Sequence, residues 1–130
     1  METYKQLSIF LENEPGTLRR VLEVFSAHAI NVVANSVDNL TDCAVYRCVV
    51  SDPVKAAHLL GEAGTFVLET DVLGVTVDDT PGSLAAVAGK LAGAGVNIDY
   101  AYGSAGGGSG KKALLVLKPS DLEKAQAVLS

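Results

Sequence analysis

The sequence predicts an α+β fold made of two copies of a β-α-β-β-α-β unit, and three observations carry that prediction. Residues 12–31 and 78–97 match at Pro15 and Pro81, Gly16 and Gly82, Leu18 and Leu84, Val21 and Val87, Phe25 and Leu91, and Asn31 and Asn97. All of these pairs share an offset of 66 residues, the mark of an internal repeat. In both copies a period-two apolar pattern gives way, through a Pro-Gly corner, to a helical one, and a second strand opening with Asn follows. Finally, 130 residues leave about 65 for each copy, a size that buries only about 60% of its unfolded surface, so the two are expected to pack together. The repeats are placed at residues 1–70 and 71–130.

Taken in order, Lys5 to Leu11 alternates, with Leu7, Ile9 and Leu11 on one face and Gln6 and Ser8 on the other, as in a half-buried strand. Proline at the start of the helix has its φ already set and lacks an N–H that would be orphaned there. Leu18, Val21, Leu22 and Phe25 then fall at i, i+3, i+4 and i+7, the stripe of a helix lying on a sheet, with Arg19, Arg20 and Glu23 opposite. The helix ends near His28, which suits the negative end of its dipole. Gly95 supplies a left-handed cap in the second copy, whereas Ala29 in the first would pay about 1 kcal/mol to take the same conformation.

Asn31 to Val37 reads as a strand, Asp38 to Asp42 as a hairpin loop and Cys43 to Val50 as the returning strand. Asp52-Pro53 opens a short helix that Gly64 closes, and Phe66 begins a strand running on through Val77. This is the split β-α-β order of a ferredoxin-like fold. The second copy repeats it with a helix over 82–94, strands over 97–102 and 113–118 and a helix over 120–129. Its hairpin is expanded into the glycine-rich stretch Gly103 to Gly110, so that later elements match at an offset of 69. No stretch matches the Gly-Thr-Phe-Val-Leu strand of the first copy, and the second repeat is expected to lack its last strand, leaving a sheet edge to be covered.

Composition limits what such a fold does. Ten Lys and Arg against fifteen Asp and Glu give a net charge of −5, with no basic run beyond Arg19-Arg20 and Lys111-Lys112, so neither nucleic acid nor membrane is an expected partner. No apolar run approaches a membrane span and no leader pattern is visible, which points to the cytoplasm. A hydrophobic share of 48% favours apolar contact between repeats or between chains, as in a homodimer. Cys43 and Cys48 lie on opposite faces of one strand and read as free thiols rather than a disulfide. His28 and His58 have no partner at metal spacing, Ser83 has no base beside it, and the glycine-rich stretch matches neither phosphate-binding template. That stretch reads as a flexible hairpin, able to act as a lid. Tyr100 and Tyr102 share a strand face with Ile98 and read as sheet packing.

At its corners the chain resembles the ACT domain, the small amino-acid-sensing module of regulatory proteins. The matching signatures are Glu12-Asn13-Glu14-Pro15-Gly16-Thr17-Leu18 running to Ala29-Ile30-Asn31, and Asp78-Asp79-Thr80-Pro81-Gly82-Ser83-Leu84 running to Gly95-Val96-Asn97. The layout looks like that of stand-alone tandem ACT proteins, which carry no catalytic domain. The resemblance implies a free amino acid as ligand, held where two ACT units meet, and neither a metal nor a cofactor. It implies a site drawn from Leu11, Asn13, Gly16, Thr17, Asn31 and Val32 in the first repeat. In the second it implies Asp79, Gly82, Ser83, Asn97 and Ile98. In that reading Asn13 and Asp79 make polar contacts, the glycines donate backbone N–H groups, and the asparagines lie on the facing strand. A helix N-terminus with exposed N–H groups and a partial positive charge suits the ligand's carboxylate. The acidic residues Glu12, Glu14, Asp78 and Asp79 read first as solvated loop charge, and second as a lean towards ligands with a cationic or polar side chain. The function expected is that of a non-catalytic sensor. The alternatives are a regulatory subunit of an amino-acid biosynthetic enzyme such as acetolactate synthase and a purely structural dimerisation module.

Overall fold

The computed structural model describes residues 1–104 and 111–130. The first repeat contains β1 (Glu2–Leu11), α1 (Thr17–Ala27), β2 (Val32–Leu40), β3 (Cys43–Val50) and α2 (Pro53–Glu62). Then come β4 (Val67–Asp78), α3 (Ser83–Gly93), β5 (Ile98–Gly103), β6 (Lys112–Pro119) and α4 (Leu122–Leu129). This is the α+β, ferredoxin-like order that the repeat implies. Most of the glycine-rich hairpin, residues 105–110, lies outside the described residues.

The chain divides into two compact units, Lys5–Thr70 and Met1–Tyr4 with Asp71–Ser130. In the first unit the strands run β2-β3-β1-β4, and in the second β1-β4-β6-β5, so β1 and β4 each contribute to both. The place of the missing last strand is thereby filled: Met1–Tyr4 serves as the fourth strand of the second unit. Tyr4 lies across Gly74 so closely that a Cβ there would sit 2.1 Å from its ring, and Thr3 accepts a 2.7 Å hydrogen bond from Gln126 of α4.

Each unit has its own core on the helix side of its strands. Leu7, Ile9, Tyr46 and Cys48 meet Val21 and Phe25 of α1 and Leu60 of α2 in the first. Leu73 and Leu117 meet Val87 and Leu91 of α3 and Ala125 of α4 in the second. These are the i, i+3, i+4 stripes facing the sheet.

Helices α1 and α3 end alike. The N–H of Ile30 bonds the carbonyl of Phe25 at 2.8 Å and that of Val96 bonds Leu91 at 2.9 Å, and the residue before each is left-handed, Ala29 at φ 55° and Gly95 at φ 72°. Ala29 is the one non-glycine residue with positive φ among the described residues. His28 ends α1 with its Nδ1 3.0 Å from the carbonyl of Val24.

Three sequence readings are corrected. The strand β2 runs to Leu40, so only Thr41 and Asp42 turn the hairpin, with Asp38, Asn39 and Leu40 paired to Val45, Ala44 and Cys43. Polar residues that look like loop find partners here, Asp38 in Arg47 and Asn39 in Asn13. Next, β1 is not half-buried: Gln6 is 0% and Ser8 8% exposed, and Val45 and Val49 on the same face are buried too. Alternation identifies the face that meets the helices but leaves open whether the other meets water. Lastly, a bulge at Asp99 puts Ile98 opposite Pro119 and Tyr100 opposite Lys118, which separates the two tyrosines from Ile98. Ile98 packs on the core with the helices, while Ala101 faces Leu117 and the tyrosines alternate to the reverse side. A matching bulge lies at Val33 in the first repeat.

Cys43 is half-buried and Cys48 buried, both as free thiols. Burial pushes the Cys48 thiol up to about 12, and burial together with the neighbouring Cys48 raises the Tyr46 phenol. No helix is long and apolar enough to cross a membrane among the described residues.

Candidate functional site

The two corners are built by the same backbone. Gly16 and Gly82 precede α1 and α3 at φ 92° and φ 90°, a left-handed conformation that side chains resist, and a Cβ on either would meet nothing within 4 Å. Their carbonyls accept from Arg20 and Ala86, closing the first turn. No side chain caps either helix. The other two helices differ: Asp52 accepts from the N–H of Lys55 at 3.1 Å and Asp121 from that of Lys124 at 3.0 Å. The corner helices thus start without the capping carboxylate that the chain supplies elsewhere.

Thr17 and Ser83 are used in shaping the corners. The Thr17 hydroxyl lies 2.8 Å from the carbonyl of Glu12 and 3.1 Å from that of Glu14, and the Ser83 hydroxyl is 2.9 Å from that of Thr80. Asn13 donates to Asn39 at 2.8 Å, and the Asp79 N–H donates to the Lys111 carbonyl at 3.0 Å. Asp78 pairs with Lys112.

Asn31 and Asn97 hold their strands to the following helices by reciprocal bonds. The Asn31 N–H donates to the Ser51 hydroxyl and its carbonyl accepts from the Ser51 N–H, both at 2.9 Å. Asn97 and Ser120 do the same at 2.9 and 2.8 Å, and the Asn97 side chain donates to Asp99 at 3.1 Å. Val32 and Ile98 pack beside them on the two cores.

Within a repeat the corner and the asparagine stand at opposite ends of the sheet. Asp78 pairs with Lys112 at the start of β6 and Ile98 with Pro119 at its end, a rise of roughly 20 Å.

Two clefts adjoin the corners. In the first unit a cleft of about 600 Å³ is lined by Leu11, Glu12, Thr17 and Arg20, with Phe10 and Phe66 at 5.3 Å between ring centres forming one wall. In the second unit a cleft of about 400 Å³ brings together Asp79 and Ser83 with Thr80, Leu84, Gly103 and Leu115. Sequence reasoning named Asp79 and Ser83 and missed the last four. The signal for Leu115 was present, because the offset of 69 aligns it with Tyr46. No group of three or more His, Cys, Asp or Glu side chains able to hold a metal exists among the described residues.

Comparison with known proteins follows the same line. A family model described as an ACT domain pair matches residues 2–130. The crystal structure of protein BT0572 from Bacteroides thetaiotaomicron is 40% identical, with a TM-score of 0.91 over 98% of this chain and 86% of that one. The ligand-free regulatory subunit of aspartate kinase from Thermus thermophilus is 16% identical, with a TM-score of 0.72 over 99% and 93% of the two chains. The corresponding subunit from Thermus flavus is 18% identical, with a TM-score of 0.63 over 99% and 89%. The last two share the fold with this chain. Among curated proteins none matches the sequence.

Proposed function

The chain belongs to the family of ACT domain pairs, and from that premise we propose that it is a non-catalytic regulatory protein that binds a free amino acid at its Pro-Gly corners. The observation that carries this reading is the contrast among helix starts. Two are capped by aspartate, while the two at the duplicated corners begin at left-handed glycines with no side-chain cap and open space around the backbone. The N–H groups of Thr17 and Ser83 turn back to the carbonyls of Glu14 and Thr80; those that follow in the first turn have no partner within a helix, and a carboxylate satisfies them with favourable dipole interaction. Asp79 beside the second corner accepts from the ammonium, as a carboxylate with four lone-pair positions can do alongside other bonds. Asn13 is the amide in the same place in the first. The asparagine-led strand that completes a site, through Asn31 and Val32 or Asn97 and Ile98, comes from a second copy of the chain.

Regulation then follows from linkage. A ligand present at a hundredfold excess over its dissociation constant stabilises the bound arrangement by about 2.7 kcal/mol and biases any partner that reads it. A thermal-shift screen of the twenty amino acids tests this: a rise in melting temperature with one chemical group of them is expected. No rise with any leaves a scaffold without a ligand.

A second reading, as the regulatory subunit of an amino-acid biosynthetic enzyme or as a homodimer, is favoured by β2. It is hydrogen-bonded to β3 alone in the strand order and leaves Val33, Val37 and Leu40 between 40% and 50% exposed. Co-purification of a catalytic subunit, or a mass in solution of two chains, supports this reading.

A further inference from the structure

We propose that the second repeat's corner alone is open to a ligand side chain on its hairpin side, the first repeat's cleft lying towards α2 and Phe66 instead, that Leu115 and Gly103 open it, and that the side chain it admits is small and apolar. This rests on the amino-acid reading above. The argument is one of register. In the first repeat Tyr46 lies between Ile9 of β1 and Val37 of β2, and in the second Leu115 lies between Val75 of β4 and Gly103 of β5. The same ladder aligns Asn35, opposite Cys48, with Ala101, opposite Leu117. At three adjoining positions on the helix side, Tyr, Val and Asn in the first repeat are therefore Leu, Gly and Ala in the second, and each change removes volume.

The consequence is visible in what surrounds them. Tyr46 is 1% exposed and packed among core residues, with Leu11 and Leu18 against the same cluster, and Asn13 ties that corner to its hairpin through Asn39. Leu115 is only half-buried, and Leu84, the counterpart of Leu18, stands 57% exposed at the rim of the 400 Å³ cleft. Leu84, Leu115, Ala101 and Val77 give that cleft an apolar interior, while Asp79, Thr80 and Ser83 set polar groups at the helix start, and among the described residues no basic side chain lines it. Asp78, one of the acidic corner residues, is engaged by Lys112. An ammonium and a carboxylate thus meet polar groups at the corner while the side chain enters between leucines.

Calorimetric titration of the full chain with L-alanine, L-valine, L-lysine and L-glutamate tests this. Binding of L-alanine or L-valine at one equivalent per chain is expected. Leu115→Tyr, which restores the ring of the first repeat, is expected to weaken that binding at least about tenfold, an overpacking effect. Ala101→Asn, at an exposed strand position, is expected to weaken it several-fold and keeps the test open should Leu115→Tyr fail to fold. Two equivalents per chain, a folded Leu115→Tyr that binds like the parent, or a preference for L-lysine or L-glutamate overturns this inference and leaves the sensor reading standing. If the unmodified chain binds none of the twenty amino acids, the sensor reading fails and this inference falls with it.

Discussion

In the first repeat a buried phenol, Tyr46, occupies the middle of the core beneath the corner helix, with Cys48 two residues on along the same face; in the second, leucines stand at both places, Leu115 and Leu117. The backbone frame around them is the same: left-handed glycines before α1 and α3, reciprocal Asn–Ser bonds at the strand starts, and a bulge after each. One duplicated scaffold thus carries a corner filled on its hairpin side and a corner open there. A backbone repeat constrains hydrogen bonding, and side-chain volume is left free to separate the copies into a packed half and a half with room for a ligand.

Three experiments, with five substitutions between them, sharpen or break that contrast. The largest effect is expected from truncating the plug: Tyr46→Ala should cost about 3–5 kcal/mol in urea unfolding, as for other buried aromatic residues, and Leu115→Ala only about 1–2 because it already borders open space. Equal costs would mean that the two corners are packed alike.

The next effect is alkaline. Burial favours the neutral Cys48 thiol in the folded state, so the unfolded chain gives up its proton first. The stability this group confers is present below about pH 9 and is lost as pH rises towards about 12. The loss approaches about 1.4 kcal/mol per pH unit. Cys48→Ala should flatten that slope in unfolding curves taken across the range, leaving the part due to Tyr46. An unchanged slope would place the alkaline weakness elsewhere than at Cys48.

The smallest effect concerns the helix ends. Ala29→Gly should stabilise by up to about 1 kcal/mol and Gly95→Ala should destabilise by about as much, because both positions need a left-handed backbone. Opposite signs in melting temperature confirm that the two ends share one geometry, and a like sign would break the equivalence.

Much of the frame was legible before any coordinates. Pro15-Gly16 and Pro81-Gly82 marked the corners, and the constant offset aligned Ala29 with Gly95 closely enough to foresee a strained alanine at the helix end. What escaped were features settled by neighbours distant in sequence. Gln6 and Ser8 read as a solvated face, but they lie on an interior strand whose reverse side is buried as well. Tyr100 and Tyr102 were placed on one face with Ile98 by simple alternation, which the bulge at Asp99 interrupts. Of the site residues, Asp79 and Ser83 lie in one cleft, while Asn97 stands at the far end of its own sheet.

The amino-acid sequence by itself determined the duplication, the element order and the glycines at the corners, since these follow from local sterics and hydrophobic period. Only the tertiary structure decided that Met1–Tyr4 serves as the last strand of the second unit, and that the cleft at the second unit's corner lies on its hairpin side while that at the first unit's corner lies towards α2 and Phe66. Strand pairing and packing volume depend on residues brought together from far along the chain, and no periodicity within a single segment records them.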